Sequence, residues 1–449
     1  MLLVLSLMFP YLFGLGCCLL PLLKRLGGDV FSTHDGPDMR GVAVLILLGM
    51  VLDYFLVQSI GDLKRSLILG CLLSVIGYSA LMSYLIKTSN KLVNISGLVI
   101  FTFLSISCIF IVVIEPIEGW DARHIWFLHG KMIYYNASMD AGGHWTLPSL
   151  GHFHSDYPKL ISVLAAQIAF VAGYWNEYLP KLSLVALLVP AVAFLFSFLQ
   201  KKTWHIPLII VPLLFLNVWL KNGYVDGYLA LYVGIGTFLW GRWLDKKENS
   251  DVFAAIVFTG ISINLKNEGQ LYAVIVAALL FAVLFSKSNS SWLVKRLANT
   301  GAMVLIPVSL SGFICWEFRK YSLGLKNDLK LGLESFERIL NRIEDGSLYL
   351  ILKHVFVFNN LNLSLGFLLS TLTWTLWRRR RLRFGFSFCL FVSLLYFSGI
   401  TLIYLATPYD LVGFHLPTAN RTMLPVHILL LAASYYIISE DEKVEKTRD

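Results

Sequence analysis

The sequence predicts an all-α membrane protein crossing the bilayer about 12–14 times, with short juxtamembrane helices in two outer loops. Three observations carry this. Of 449 residues, 57% are hydrophobic and only 14% are charged, against roughly a quarter charged in a soluble domain. The charges are clumped, leaving apolar runs of about 17–22 residues, which at 1.5 Å per residue match a ~30 Å hydrocarbon layer. The 12 Trp, 20 Tyr and 31 Phe gather near the run ends, where amphipathic rings sit at headgroup level.

The first run, 2–23, is apolar from Leu2 and carries its charges afterwards, as Lys24-Arg25. Without a basic leader it reads as a retained span, not a cleaved signal peptide. Further runs fall at 41–59, 66–86, 94–114, 158–175, 180–200, 205–220, 224–243, 252–265, 270–286, 299–316, 363–377, 385–406 and 422–438. Residues 1–93 thus form N-terminal transmembrane helices and 94–438 a membrane core. Residues 439–449 form a charged cytoplasmic tail. Two outer loops, about 115–157 and 317–361, are long enough to be functional or to hold small helices. In the second, Leu333, Phe336, Ile339 and Leu340 share one helical face, which predicts a short helix lying on the membrane surface.

The net charge is +9. Lys246-Lys247, Lys287 with Lys295-Arg296, and the run Arg378–Arg383 lie in loops that share one side, the cytoplasmic side by the positive-inside rule. No basic stripe with interleaved aromatics stands on a soluble domain, which excludes nucleic acid as a partner. Two basic pairs conflict with the count. Lys201-Lys202 belongs inside only if one segment in 158–220 is short, re-entrant or horizontal, and Lys64-Arg65 is a weaker exception. The six Cys all lie in apolar runs without a CxxC pair, and read as small buried hydrophobes.

Four polar constellations gather at span ends on the other side. A charge at bilayer depth costs about 2.5–3.5 kcal/mol, so such groups usually line a bundle interior or an aqueous cavity. The first is IEPIEGWDARHIWFLHGK, where Glu118 and Asp121 share a face if the segment is helical. A carboxylate held at the membrane rim suits a general base, and a solvated juxtamembrane helix is the plain alternative. The second is GHFHSDYPKL, with His152, His154, Asp156, Tyr157 and Lys159. Asp156 reads equally as a helix cap before Pro158, and His-x-His-x-Asp spacing admits a divalent metal, the one cofactor considered. The third is LKNEGQLY, where Lys266 beside Glu268 is either a polar turn or a cation facing an anionic ligand such as phosphate. The fourth is TPYDLVGFHLPTANR, where Arg421 opens the last span as a headgroup anchor or a phosphate grip, with Asp410 and His415 before it. Asp226 in NGYVDGY starts another span and by itself reads as a cap.

Taken in order, GWDAR after a span, HSDYPKL, VDGYLA, LKNEG and TPYDLVGFHLPTANR resemble segments of the polytopic glycosyltransferases of the GT-C fold. That group includes the dolichyl-phosphate-mannose protein mannosyltransferases, the bacterial aminoarabinose transferases and their uncharacterised bacterial relatives. The resemblance covers roughly residues 94–438. It implies transfer of a sugar from a polyprenyl-phosphate donor to a glycan, lipid or protein acceptor, with inversion, at the extracytoplasmic face of a bacterial inner or plasma membrane. Asp121, Glu118 and Asp156 would then be the catalytic carboxylates, with Asp121 the base. Lys266, Arg421, Arg123, Lys159 and His415 would hold the donor phosphate, an electrostatic task. Asp226, Glu268 and Tyr157 would bind substrate. A transporter or flippase of lipid-linked saccharides is the main rival, and a polymerase of the same materials a second. Charges inside a bundle suit transport as well, but the chain has no internal repeat, and its arginines concentrate away from the outer loops.

Overall fold

The computed structural model describes residues 2–25, 39–88, 95–199, 206–285, 302–325, 332–378 and 382–440. The chain is a helical bundle, α1 (Leu2–Cys17), α2 (Leu20–Arg25), α3 (Met39–Ile60), α4 (Leu63–Thr88), α5 (Ile95–Val113), α6 (Phe127–Asn136), α7 (Leu160–Ala172), α8 (Leu182–Leu199), α9 (Ile206–Lys221), α10 (Asp226–Lys246), α11 (Asn249–Leu265), α12 (Asn267–Phe285), α13 (Ala302–Ser322), α14 (Leu333–Glu344), α15 (Ser347–Lys353), α16 (Leu361–Trp377), α17 (Phe384–Ala406), α18 (Ala419–Thr422) and α19 (Leu424–Glu440). Among the described residues seven helices are long and apolar enough to cross a membrane, and eight if Ser347–Val357 and Leu361–Trp377, bent by 69°, count as one broken span. The other apolar runs fold as shorter helices. The protein is therefore all-α and integral to the membrane, with several spans below the length that the apolar runs imply.

Helix α3 is the most enclosed of the N-terminal spans and packs against α1, α4, α8, α11 and α13. Its contact with α1 is backbone against backbone. A Cβ on Gly16 would sit 1.9 Å from the Leu45 carbonyl oxygen, and one on Gly49 would sit 1.8 Å from that of Leu12. Small residues at helix crossings are how bundles gain close van der Waals contact where lipid removes the hydrophobic drive.

Two clusters mark the ends of the bundle. At one end Asp251 receives Arg40 at 2.7 Å and Arg242 at 3.1 Å, joining the starts of α3 and α11 to the last turns of α10. At the other end lie the C-terminus of α11 and the N-terminus of α10, with every residue proposed from sequence to act. We call this the site end.

One segment departs from the expected spans. The run 158–175 is α7, only 13 residues long, or about 20 Å at 1.5 Å per residue. Both of its ends are at the site end. Just before it, the Asn267 amide donates to Asp156 at 3.1 Å and the Lys159 backbone N–H donates to Tyr54 Oη at 3.0 Å. Just after it, the Glu177 carbonyl accepts from Ile117 at 3.1 Å and its carboxylate meets Lys131 at 2.8 Å. Midway, Gln167 donates to Asp53, the residue before Tyr54. With both of its ends at the site end, α7 does not carry the chain from one end of the bundle to the other. This removes one crossing from 158–220 and answers the parity conflict raised by Lys201-Lys202. Those residues lie outside the described residues, as do Lys91, Lys287, Lys295, Arg296, Arg379–Arg381 and the tail from 441. Lys64-Arg65 remains at the site end, where Asp62 accepts from the Arg65 backbone N–H at 2.7 Å.

The second long loop is shorter than its expected bounds, because α13 continues to Ser322. The surface helix is present as α14. Leu333 is 89% exposed, and Phe336, Leu340 and Ile343 are exposed beside it, while Ile339 turns toward the protein. On its other face, Arg338 donates to the Ala406 carbonyl and Arg342 to those of Tyr404 and Tyr409. The cations thus satisfy two of the last carbonyls of α17, which have no partner within their own helix, and that of Tyr409 just beyond it.

The course of α7 has a direct test. In a variant with the native cysteines replaced, Tyr174→Cys, at an exposed position just past α7, and Asn420→Cys should react with an impermeant thiol reagent from one side of the membrane, and Leu382→Cys from the other. Tyr174→Cys labelling with Leu382→Cys would restore α7 as a span.

Candidate functional site

The site is built on a break between two helices. Helix α11 ends at Leu265, Lys266 is extended (φ −159°, ψ 158°), and α12 starts at Asn267. A single residue makes this reversal because α12 lies tightly on α11; a Cβ on Gly269 would sit 1.9 Å from the Ser262 carbonyl oxygen. The Lys266 ammonium lies 2.8 Å from Asp226 Oδ1 and 2.8 Å from Glu268 Oε1. All three charges match the dipoles of the helices that carry them, with Lys266 at the C-terminus of α11 and the carboxylates in the first turns of α10 and α12. Burial by itself would lower the Lys266 pKa, but Asp226 and Glu268 outweigh it and hold it well above the ordinary lysine value. Lys266 is therefore a permanent cation.

Beside this group, Arg421 Nη1 lies 2.6 Å from Asp121 Oδ2, and the guanidinium stacks over Tyr224 at 5.2 Å. Asp121 is buried and stands directly before a π-helical turn, Ala122–Trp126. A second π-turn, Leu411–His415, precedes α18, which carries Arg421. Such turns are rare and are often found at functional sites. Tyr157 lies within electrostatic reach of both ion clusters, through Glu268, Lys266, Asp156 and Asp121. Burial first, and then the Glu268 carboxylate, hold its phenol well above the usual tyrosine range, so it is a neutral hydrogen-bonding group.

The remaining candidates separate. Asp156 accepts from Asn267, and Trp316 Nε1 donates to the Asp156 carbonyl at 3.0 Å. Burial raises the Asp156 pKa. Lys159 points away from the ion pairs into a closed cage. Its amine lies 3.0 Å from His129 Nδ1 and 2.9 Å from the Ser155 carbonyl, between the Trp145 and Trp316 rings at 4.7 and 4.8 Å. The indole faces favour an ammonium, but Lys159 is wholly buried and burial depresses its pKa strongly. Its geometry is that of a core residue.

Glu118 and Asp121 do not share a face. The helix begins at Trp120, so Glu118 lies outside it and is exposed. Arg123 is exposed too, and its Nε donates back to the Ile117 carbonyl at 2.7 Å. His415 lies 4.8 Å from the Tyr404 ring, within reach of Arg342, Arg421 and Lys266. His154 stacks on Tyr157 at 4.6 Å, and the side chain of His152 lies outside the described residues. Among the described residues no three His, Cys, Asp or Glu side chains assemble as a metal site. Sequence reading passed over Tyr224, Arg342, Tyr396 and Asp53. Of these Asp53 had a clear signal, a lone carboxylate inside an apolar run. It is fully buried, accepting from Tyr11 at 2.6 Å and Gln167 at 2.8 Å.

No family model, no curated protein and no solved structure matches the chain.

Two stability measurements follow from this geometry. Arg421→Met and Asp121→Asn should each cost roughly 1–3 kcal/mol, because each leaves a buried partner uncompensated. The double variant should cost clearly less than the sum of the two singles. Thermal unfolding in detergent checks this, and strict additivity would mean that the pair is not coupled. Lys159 supplies a pH signature. With its folded pKa depressed, the unfolded chain holds a proton that the folded chain lacks, from the folded pKa up to about 10.4. Its contribution makes stability rise with pH through that window. Lys159→Met should flatten the slope of Tm against pH between neutral and pH 10.

Proposed function

We propose that the protein is a membrane glycosyltransferase that moves a sugar from a polyprenyl-phosphate donor to an acceptor hydroxyl, with inversion, at the site end of the bundle. The observation that carries this reading is the buried Asp121–Arg421 pair beside the Lys266 cluster. It sets a carboxylate and a guanidinium side by side at one end of a bundle of apolar helices. In the proposed reaction Asp121 takes the proton of the acceptor hydroxyl. The acceptor oxygen forms a bond to the anomeric carbon as the bond from that carbon to the phosphate oxygen breaks. The phosphate leaves with the electron pair. It is a weak base, so the demand is for positive charge, not for a general acid.

Arg421 is the residue best suited to that demand. Its guanidinium presents five N–H donors in a fork, of which one carboxylate engages at most two. Lys266 is held by two carboxylates and has less to offer an anion. The site end would face the periplasm or its equivalent in this reading, with the lipid tail among the spans. Transport of a lipid-linked saccharide draws on a different residue, Asp53, whose burial within α3 is a feature of ion-coupled carriers.

The test uses purified protein in detergent, a radiolabelled polyprenyl-phosphate sugar and a panel of acceptors. Asp121→Asn should lower the transfer rate by about 10²–10⁴-fold, the usual range for loss of a general base, while donor binding survives. Glu118→Gln, at an exposed position, should transfer at close to the parent rate. Parent-rate transfer by Asp121→Asn would overturn the mechanism. A parent that transfers no sugar but moves the lipid across proteoliposomes, and loses that activity in Asp53→Asn, would establish the transport reading instead.

A further inference from the structure

Four buried polar atoms around Lys266 lack a partner, one of them His415 Nδ1, within electrostatic reach of Lys266 and Arg421. Asp226 Oδ2 and Glu268 Oε2, the outer oxygens of the two carboxylates on Lys266, accept no hydrogen bond. The Tyr396 hydroxyl, on α17 and within electrostatic reach of Glu268, Lys266 and Asp226, makes none either. Asp226 is 2% exposed and Tyr396 is fully buried. Buried polar atoms left unpaired cost about 1–3 kcal/mol each, so four of them around one ion cluster mark a place where a ligand can complete the bonding.

The chemistry of these atoms selects the ligand group. Two are carboxylate oxygens, which only accept, and the other two, a hydroxyl and an imidazole nitrogen, do either. Lys266 already donates to both carboxylates. Three carboxylates, Asp121, Asp226 and Glu268, face two cations, Lys266 and Arg421. The cluster therefore has spare acceptors and an excess of negative charge. A phosphate brings acceptors and more negative charge, and so cannot complete it. A sugar ring brings hydroxyl donors, and an amino sugar brings a cation as well.

We infer that Asp226, Glu268 and Tyr396 form a subsite for a donor-rich ring, a sugar recognised through its hydroxyl or ammonium groups, and that the phosphate of the same ligand is left to Arg421. This rests on the proposed glycosyl donor. It changes the role of Lys266 from phosphate ligand to positioning residue, which holds two carboxylates with their outer oxygens toward the ring.

The experiment compares two lipids on the full chain in detergent, a short polyprenyl phosphate with a sugar and the same lipid phosphate without one. Tyr396→Phe removes a hydroxyl that bonds nothing in the protein, so the variant should melt at or above the parent temperature. It should bind the sugar-bearing lipid about 5–10-fold more weakly, the size of one lost hydrogen bond, with unchanged affinity for the bare lipid phosphate. Asp226→Asn and Glu268→Gln should show the same selectivity, whereas Arg421→Met should weaken both lipids. Neutral-sugar and amino-sugar donors separate the two sources of donors. A parent preference for the amino sugar that Asp226→Asn abolishes assigns an ammonium, and equal binding assigns hydroxyls. If the three subsite variants keep the parent ratio of affinities for the two lipids, or if the parent does not distinguish them, the subsite is wrong. If the parent binds the sugar-bearing lipid selectively through these residues yet transfers nothing, the transferase reading fails and the subsite stands.

Discussion

The Lys266 ammonium, enclosed by Asp226 and Glu268, ties together three helix ends that the chain delivers separately. A lone ammonium in a low-dielectric interior would cost several kcal/mol even after relaxation, and only close counter-charges with satisfied geometry offset it. That requirement fixes the level at which α10, α11 and α12 meet. It also sets the one-residue reversal at Lys266, since a longer turn would carry the cation out to water. The opposite end of the bundle meets the same requirement with Asp251 between two arginines. There, however, both carboxylate oxygens have a partner. The site end differs in keeping acceptors in reserve.

Electrostatics and packing divide the remaining work around this cluster. Arg421 reaches it from the short helix before the last span and is steadied by the Tyr224 ring. Asp121 is delivered by the first long loop, whose π-turn begins one residue later. Just before α7, the Lys159 amine packs between the Trp145 and Trp316 rings in the buried core. The arginines of α14 close the C-terminus of α17 and so tie the surface helix to the span that carries Tyr396.

Much of this was legible in the sequence because charges are scarce there. In a chain with so few, Asp121, Asp226, Lys266 and Arg421 stand out at span ends, and loop parity places them together. Three features were not legible, each for a physical reason. The 158–175 run has the hydropathy of a span, and only the contacts at its two ends, of Asp156 with Asn267 and of Glu177 with Ile117 and Lys131, reveal its course. Glu118 and Asp121 have helical spacing, but the helix starts between them. Tyr396 resembles any tyrosine in an apolar run, because its role lies in an unpaired hydroxyl that no local pattern records. Lys159 is the converse case. It reads as a ligand by its neighbours His154 and Asp156, and the fold turns it inward.

The short course of α7 has a consequence for how the protein is made. Insertion sorts segments largely by length and apolarity, and 13 residues fall short of the roughly 17 that a span requires. An insertion of only about five apolar residues would make α7 long enough to cross. Every later element would then emerge inverted. Asp121 would stay on one face of the bilayer, while Asp226, Lys266 and Arg421 appeared on the other. A single small duplication within α7, touching none of these residues, would thus divide the site across the membrane. The brevity of α7 is a condition for the carboxylate and the guanidinium ever meeting.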